Sequence, residues 1–502
     1  MTMENNLEEK EITTKLKLIN AFTKNKDIFT PSKGNLIRWY ICGPTVYDSP
    51  HLGHARTYVS FDIVRRVLEN YFGYQVTYVM NITDIDDKII NKAKETKMEV
   101  SDACKIITKK YETEFFEAMD NLNVQRPTFT TRVTNYVEKI VTFIEKLMEK
   151  GFAYESEGSV YFDLVKYREN FKHPNFVNES AINEETEQLE NIYKKKNKID
   201  FVLWKKSKEG EPVYNSPWGE GRPGWHIECS AMASDLFKDG LDIHSGGCDL
   251  AFPHHENEIA QSQAFLNSNL WCPYFLHSGH LSIDGLKMSK SLKNFITVEE
   301  SLKNFTPRQL RILFLNTNWW APMTYKLESM EYSKKIEAKL MNFISISDSF
   351  IKNSEIEDNF KNVTDQDSMI LEILENTKIS IHEAFCDSIN TFKVLTAILN
   401  LITVIHQKIE NLSIRVIYVA KQYVVSILNL LGVVEEKKGF DSLDQDVLKL
   451  VCDFRANVRK YSKEKKEHKH YFELCDKLRE DFKTHGYLIE DKGEESRIRK
   501  TN

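Results

Sequence analysis

A strand, a helix and a strand in close succession constrain this fold most. "LIRWYIC" (Leu36–Cys42) and "YQVTYVMNI" (Tyr74–Ile82) are rich in β-branched and aromatic residues, as strands are. Between them "RTYVSFDIVRRVLENYF" (Arg56–Phe72) repeats apolar residues at helical spacing. Such a βαβ unit needs a parallel sheet covered by helices, so the first part of the chain is expected to be α/β. "SVYFDL" (Ser159–Leu164), "DFVLWKK" (Asp200–Lys206) and "GLDIHSGG" (Gly240–Gly247) read as further strands. A polar Glu/Asn/Lys-rich stretch, Glu169–Lys198, reads as a mobile loop in an insertion.

The pattern changes near residue 325, after which the chain reads as helical. "TPRQLRILFL" (Thr306–Leu315) shows a Thr cap and Pro at the first helical position. Lys352–Ser368 reads as a polar linker, and Glu435–Asp446 marks another boundary. A chain of 502 residues is expected to hold more than one domain. The division expected is 1–325, with an insertion at about 125–220, then a helical bundle 326–434 and a small helical or mixed domain 435–502. The apolar runs Val394–Ile405 and Val416–Val434 read as buried helix faces. The first is too short to span a bilayer and the second carries Lys421 and Gln422.

A net charge of −6 argues against a general nucleic-acid coat but leaves room for a local basic patch. The 8 cysteines contain no CxxC pair and read as reduced cytosolic thiols, some of them possible ligands. The first residues lack the apolar core of a signal peptide, so a cytoplasmic protein is expected.

Three stretches carry chemistry. In "CGPTVYDSPHLGHART" (Cys42–Thr57) a strand ends and a helix begins at His51, Gly53 and His54. A helix N-terminus suits phosphate, Gly53 permits close backbone approach, and both imidazoles can donate. The competing reading is that the two histidines cap the helix or pack on it. Neither G-x-x-x-x-G-K-[ST] nor G-x-G-x-x-G is present. "KMSKS" (Lys287, Met288, Ser289, Lys290, Ser291) offers a cationic loop able to clamp phosphates, or simply a solvated surface loop. "GGCDLAFPHHENEIAQ" (Gly246–Gln261) places His254 and Glu258 four apart, on one helix face. Metal binding, acid/base chemistry and helix capping all remain open for it, as does the choice between His254 and His255.

HLGH and KMSKS, in this order, are similar to the two signatures of class I aminoacyl-tRNA synthetases. With "GPTVYDSPHLGH", "NITDIDDKI" (Asn81–Ile89), "GRPGWHIECSAM" (Gly221–Met232) and "FPHHENEIAQS" (Phe252–Ser262), the chain resembles the cysteinyl-tRNA synthetase family from about Leu16 to about Glu490. The resemblance implies a Rossmann-like catalytic domain followed by a helical bundle and an anticodon-recognition domain. It implies one Zn2+ per chain on Cys42, Cys229, His254 and Glu258, with Cys248, His255 and Glu256 left out. A zinc-bound thiolate would distinguish cysteine from serine, which a hydrophobic pocket does poorly.

It further implies Pro44–His54 and Lys287–Ser291 as the ATP sites, with His51, Gly53, His54, Lys287 and Lys290 acting on the nucleotide. Thr83, Trp225 and His244 would form the amino-acid pocket, with Gly246 and Gly247 clearing space for substrate. Asp84, Asp86 and Asp87 would fix loops, since Mg2+ travels with ATP. The partners implied are tRNA(Cys), L-cysteine and ATP, with no membrane and a monomeric chain. Ser388 and Ile389 replace the acidic residues usual in their segment, and the tail has no tryptophan after Trp320. Arg497, Arg499 or Lys500 would then contribute to reading the anticodon. The alternative is a ligase that passes activated cysteine to a small amino sugar.

Overall fold

In the computed structural model the described residues are 15–172, 176, 195–287, 295–352, 363–434, 454, 458, 468–484, 487–492 and 495–500. A short hairpin, β1 (Lys17–Asn20) and β2 (Asn25–Ile28), precedes the βαβ unit. That unit is β3 (Leu36–Ile41), α1 (Leu52–Asn70) and β4 (Gln75–Ile82). Then α2 (Asp87–Lys94) and α3 (Val100–Asn121) lead to β5 (Phe129–Arg132).

The insertion follows, as α4 (Val137–Glu149), β6 (Ala153–Ser156), β7 (Ser159–Phe162), α5 (Leu164–Asn170), β8 (Phe201–Lys206) and β9 (Gly221–Pro223). Its strands form an antiparallel sheet in the order β6-β7-β8-β9. The chain returns through α6 (Trp225–Leu236), β10 (Ile243–Gly247), α7 (Glu256–Leu266) and β11 (Tyr274–Ser278). The central sheet runs β11-β10-β3-β4-β5 with every pair parallel. Most of the Glu169–Lys198 stretch lies outside the described residues.

Alternation along β3 decides what lies on each face. Ile37, Trp39 and Ile41 join the core under α1, whereas Tyr40 and then Cys42 face the core formed with α4, α6 and α7. The strand order reverses direction between β3 and β10. In open parallel sheets the crevice at such a point is where ligands bind.

Beyond the sheet, β12 (Leu281–Ile283), β13 (Leu286–Lys287), α8 (Val298–Asn304), α9 (Pro307–Leu315) and β14 (Met323–Tyr325) lead to the helices. The α9 start is as its sequence predicts: Thr306 and Gln309 form a capping box, with Pro307 in the first turn. α10 (Leu327–Lys352), α11 (Asp365–Cys386), α12 (Thr391–Lys408) and α13 (Ile414–Leu430) pack on one another. α11 begins inside the stretch read as linker, because Thr364 and Asp367 cap it reciprocally. Helix α12, with the turn after it, is long and apolar enough by length and composition to cross a membrane. One face of it, Val394, Leu395, Ile398, Leu401, Ile402 and Ile405, is buried in the protein core.

The chain divides into two compact units, Met1–Val434 and Glu435–Asn502. Within the second, α14 (His468–Thr484) precedes a hairpin of β15 (Tyr487–Lys492) and β16 (Glu495–Lys500). The closing "KGEESRIRK" is therefore partly strand, with Arg497, Arg499 and Lys500 in β16.

Candidate active site

The C-terminal ends of β3 and β10 open into a cavity of about 340 Å³. Its floor holds Cys42, Cys229 and His254. Cys42 follows β3 and donates its N–H to the Ser245 carbonyl at 3.0 Å. Cys229 sits one turn into α6, which starts at Gly224. A side chain at Gly224 would strike the Val202 carbonyl, so glycine lets α6 begin hard against β8. His254 precedes α7, and its Nε2 lies 3.0 Å from Glu258 Oε1, so the two share a face.

The sulfurs of Cys42 and Cys229 lie 3.8 Å apart, and Cys42 Sγ is 3.6 Å from Glu258 Oε1. Ligand atoms of all four residues fall within 4.8 Å of one another, and all four are buried. Burial, and the neighbouring sulfur and carboxylate, push the Cys42 thiol well up; burial likewise raises Cys229. A bound cation would favour the thiolate forms that burial disfavours here. The donor set, two sulfurs, an imidazole and a carboxylate, fits a borderline metal ion.

Cys42 and Glu258 also cluster with His244 and His255 within the same distance. His255, left out of the zinc set by the resemblance, is nevertheless brought beside it. Its Nδ1 bonds His277 Nε2 at 2.7 Å. Of this second set only Cys42 lines the cavity, so only the first can meet a ligand there. Cys248 lines the cavity but belongs to neither set. Glu256 accepts from the Phe176 N–H at 2.6 Å.

His244, expected in the amino-acid pocket, is not on the cavity wall. It sits behind the ligands, with Nε2 3.1 Å from Glu258 Oε2 and Nδ1 3.0 Å from the Tyr40 carbonyl oxygen. Gly246, expected to make room for substrate, instead makes room for protein. A Cβ there would meet Leu250 at 2.9 Å and the His255 ring at 3.2 Å. Gly247 does line the cavity.

Trp225 also lines the cavity; it is 40% exposed and stacks on His254 at 4.5 Å, so it is a wall and not core packing. Thr83 is buried beside it, its hydroxyl accepting from Asn81 Nδ2 at 3.1 Å. The neighbouring carboxylates hold structure. Asp86 caps α2, Asp84 accepts from Thr134, and Asp87 pairs with Lys205 and Arg222.

The opposite wall is the start of α1. His51 caps this helix: its Nδ1 accepts from the N–H groups of Gly53 at 3.0 Å and His54 at 3.3 Å. His54 Nδ1 accepts in return from the His51 N–H at 3.3 Å. Burial lowers His51 to about 4, and burial with the adjacent His51 lowers His54 well below its usual value. Both rings are therefore neutral near pH 7, with Nδ1 committed to the backbone and the proton on Nε2. The capping and phosphate readings are compatible, because capping fixes the tautomer that donates.

Pro44, Thr45, Tyr47, Asp48, Ser49 and Gly53 complete this wall. Of the KMSKS stretch, Lys287 ends β13, while Met288, Ser289, Lys290 and Ser291 lie outside the described residues. Sequence reasoning missed several cavity-lining residues, among them Asp249, His280, Phe295, Tyr47 and Lys88. Tyr47 lies in the GPTVYDSP stretch, Lys88 in NITDIDDKI and Asp249 in GGCDLAFPHHENEIAQ, so the motifs hinted at these three, while His280 and Phe295 had no such signal.

Residues 28–335 match the family described as "tRNA synthetases class I (C) catalytic domain". The chain is 48% identical over 485 residues to "Cysteine--tRNA ligase" of Encephalitozoon cuniculi (strain GB-M1), covering 97% of this chain and 99% of that one. The chain belongs to the cysteine–tRNA ligase family.

A cytoplasmic cysteine–tRNA ligase of Dictyostelium discoideum is 42% identical, over 95% of this chain and 76% of that protein. Among solved structures, Mycobacterium tuberculosis methionyl-tRNA synthetase with methionyl-adenylate overlays with a TM-score of 0.58 at 15% identity. It covers 80% of this chain and 90% of that one. At that identity the match speaks for the class I fold alone. Membership of the cysteine–tRNA ligase family accounts for a Cys/His/Glu cluster and an HLGH helix sharing one cavity.

Proposed function

We propose that the chain ligates L-cysteine to tRNA(Cys) in two steps, consuming ATP and forming AMP and pyrophosphate. The observation that carries this reading is the buried Cys42, Cys229, His254 and Glu258 set, the first three of which line the floor of the cavity that the HLGH helix walls. In this reading the set holds one Zn2+. A zinc ion held by these four residues would supply a Lewis acid that favours a substrate thiolate over a serine hydroxyl.

The protein's own groups do the rest by position and charge. His244 fixes one oxygen of Glu258, leaving the other for the ligand set. Trp225 closes the cysteine pocket and Thr83 fixes the substrate backbone. His51 and His54 donate from Nε2 to ATP phosphates, and Gly53 lets the nucleotide approach the helix. The cysteine carboxylate attacks the α-phosphorus, and pyrophosphate leaves with the bonding electrons. Lys290, with Lys287, neutralises the departing charge, and Mg2+ enters with ATP. A ribose hydroxyl of the terminal tRNA adenosine then attacks the adenylate carbonyl, and AMP leaves.

The parts proposed for this work are a catalytic domain at 1–325 with its insertion at 125–220, a helical bundle at 326–434 and an anticodon-recognition domain at 435–502. The protein would act as a cytoplasmic monomer. The test is cysteine-dependent ATP–pyrophosphate exchange, followed by charging of total tRNA with labelled cysteine. Exchange with charging is expected. Exchange without charging of any tRNA would instead support the amino-sugar ligase, and absence of exchange would sink both.

A further inference from the structure

One part of the cavity wall, inside and beside the Pro44–His54 stretch, has no named task in the two steps above. It is formed by the Tyr47–Ser49 segment and by Lys88 in the first turn of α2. The Tyr47 segment is strapped to the amino-acid side of the cavity. The Val46 N–H donates to the Thr83 carbonyl at 3.2 Å, and Thr45 bridges to Thr83. It is strapped to α2 as well. Lys92 Nζ donates to the Tyr47 carbonyl at 2.8 Å and to the Tyr111 hydroxyl at 2.9 Å, and lies 3.8 Å from Asp48.

Lys88, one turn before Lys92, is placed differently. Its Nζ sits 5.4 Å from the centre of the Tyr47 ring, exposed on the cavity side and within electrostatic reach of Asp86. The carboxylates beside it are committed. Asp86 accepts from the Lys88 N–H at 2.7 Å, and Asp87 pairs with Lys205 and Arg222. One lysine thus fixes the loop, and the other presents a cation beside a half-buried aromatic ring on the cavity wall.

An aromatic face next to an exposed ammonium group is a combination that binds single-stranded nucleic acid, by base stacking and phosphate contact. The second step requires such a strand to bring a ribose hydroxyl to the adenylate. We propose that Lys88 and Tyr47 bind the 3′-terminal nucleotides of the incoming tRNA, Lys88 on a phosphate and Tyr47 on a base. They serve transfer and not adenylation. This rests on the tRNA-ligase reading above.

The test compares two rates on the same protein preparations: cysteine-dependent ATP–pyrophosphate exchange, and single-turnover transfer from preformed cysteinyl-adenylate to tRNA. Lys88→Ala is expected to slow transfer at least tenfold while exchange changes less than twofold. Lys88→Arg is expected to restore most of the transfer rate. Tyr47→Phe is expected to transfer normally and Tyr47→Ala to be impaired. The salt dependence of tRNA binding is expected to flatten by about 0.7 in log–log slope for Lys88→Ala, as for one lost single-strand phosphate contact.

Equal loss of exchange and transfer would put Lys88 in the nucleotide site and overturn the proposal. Unchanged transfer in Lys88→Ala would overturn it too. If the wild-type protein exchanges but charges no tRNA, the underlying reading fails, and that result is seen before any variant is made.

Discussion

His51 divides its ring between two tasks. Nδ1 closes the first turn of α1, and Nε2 is left for the cavity. The neutral ring this requires has a consequence for stability. The folded value, about 4, lies below the usual 6.5, so the unfolded chain binds the proton more readily. Stability from this group is complete above pH 6.5 and is lost as pH falls toward 4. At pH 5 the loss is about 2 kcal/mol. His51→Asn keeps a capping side chain but cannot titrate. Denaturant melts at pH 7.5 and pH 5 should show the variant losing less stability on acidification than the wild type. Equal losses would contradict the neutral-ring assignment.

Residue identity was legible in the sequence to different depths. His254 and Glu258 share a face because α-helical geometry puts i and i+4 together, and that spacing is readable. That Cys42 and Cys229 join them is not, because β3 and α6 meet only through the sheet order. His244 is placed in the pocket by the resemblance, and which face of β10 it takes is not readable from the sequence. Ser388 and Ile389 stand where the resemblance would put more acidic residues. Both adopt left-handed backbone, with φ 61° and 54°, a costly conformation for isoleucine. The Ser388 hydroxyl accepts from the Ile19 N–H at 2.9 Å and its carbonyl from Trp319 Nε1 at 2.8 Å, so the corner ties three distant segments.

At the scale of elements, Arg311 on α9 joins the catalytic sheet's helices to the bundle. It pairs with Asp62 of α1 and donates to the carbonyls of Leu431 at 2.7 Å and Leu122 at 3.0 Å. The Asp62 carboxylate also holds Arg66 of its own helix at 2.8 Å. Gly432 fits against this guanidinium, since a Cβ there would come within 2.7 Å of it. Arg311→Leu leaves a buried carboxylate short of one partner and two carbonyls without donors. The expected cost is about 3–5 kcal/mol, the range for breaking a buried pair. Urea unfolding reads it, and a loss below 1 kcal/mol would mean the elements dock without this hub. Strands and helices were legible because their periodicities are local. The hub was not, since its partners lie more than a hundred residues away in sequence.

For the molecule as a whole, adenylation and tRNA reading are expected to separate. The cavity lies within Met1–Val434, and Glu435–Asn502 is a compact unit by itself. A chain ending at Val434 should retain cysteine-dependent exchange within about twofold of full length and lose at least tenfold in charging of tRNA. Full charging by the shortened chain would remove the second unit from tRNA recognition.

The central claim is that the Cys42, Cys229, His254 and Glu258 set selects cysteine through a metal. It is tested most directly by the ratio of kcat/KM for cysteine to kcat/KM for serine in ATP–pyrophosphate exchange, for wild type and Cys229→Ser, each with its zinc content measured. The account predicts one zinc per wild-type chain and a ratio above about 10⁴, beyond the roughly 10–200-fold that pocket shape alone supplies. It predicts that the variant loses metal and at least a hundredfold of that ratio. A wild-type chain without stoichiometric zinc, or an unchanged ratio in Cys229→Ser, would contradict it.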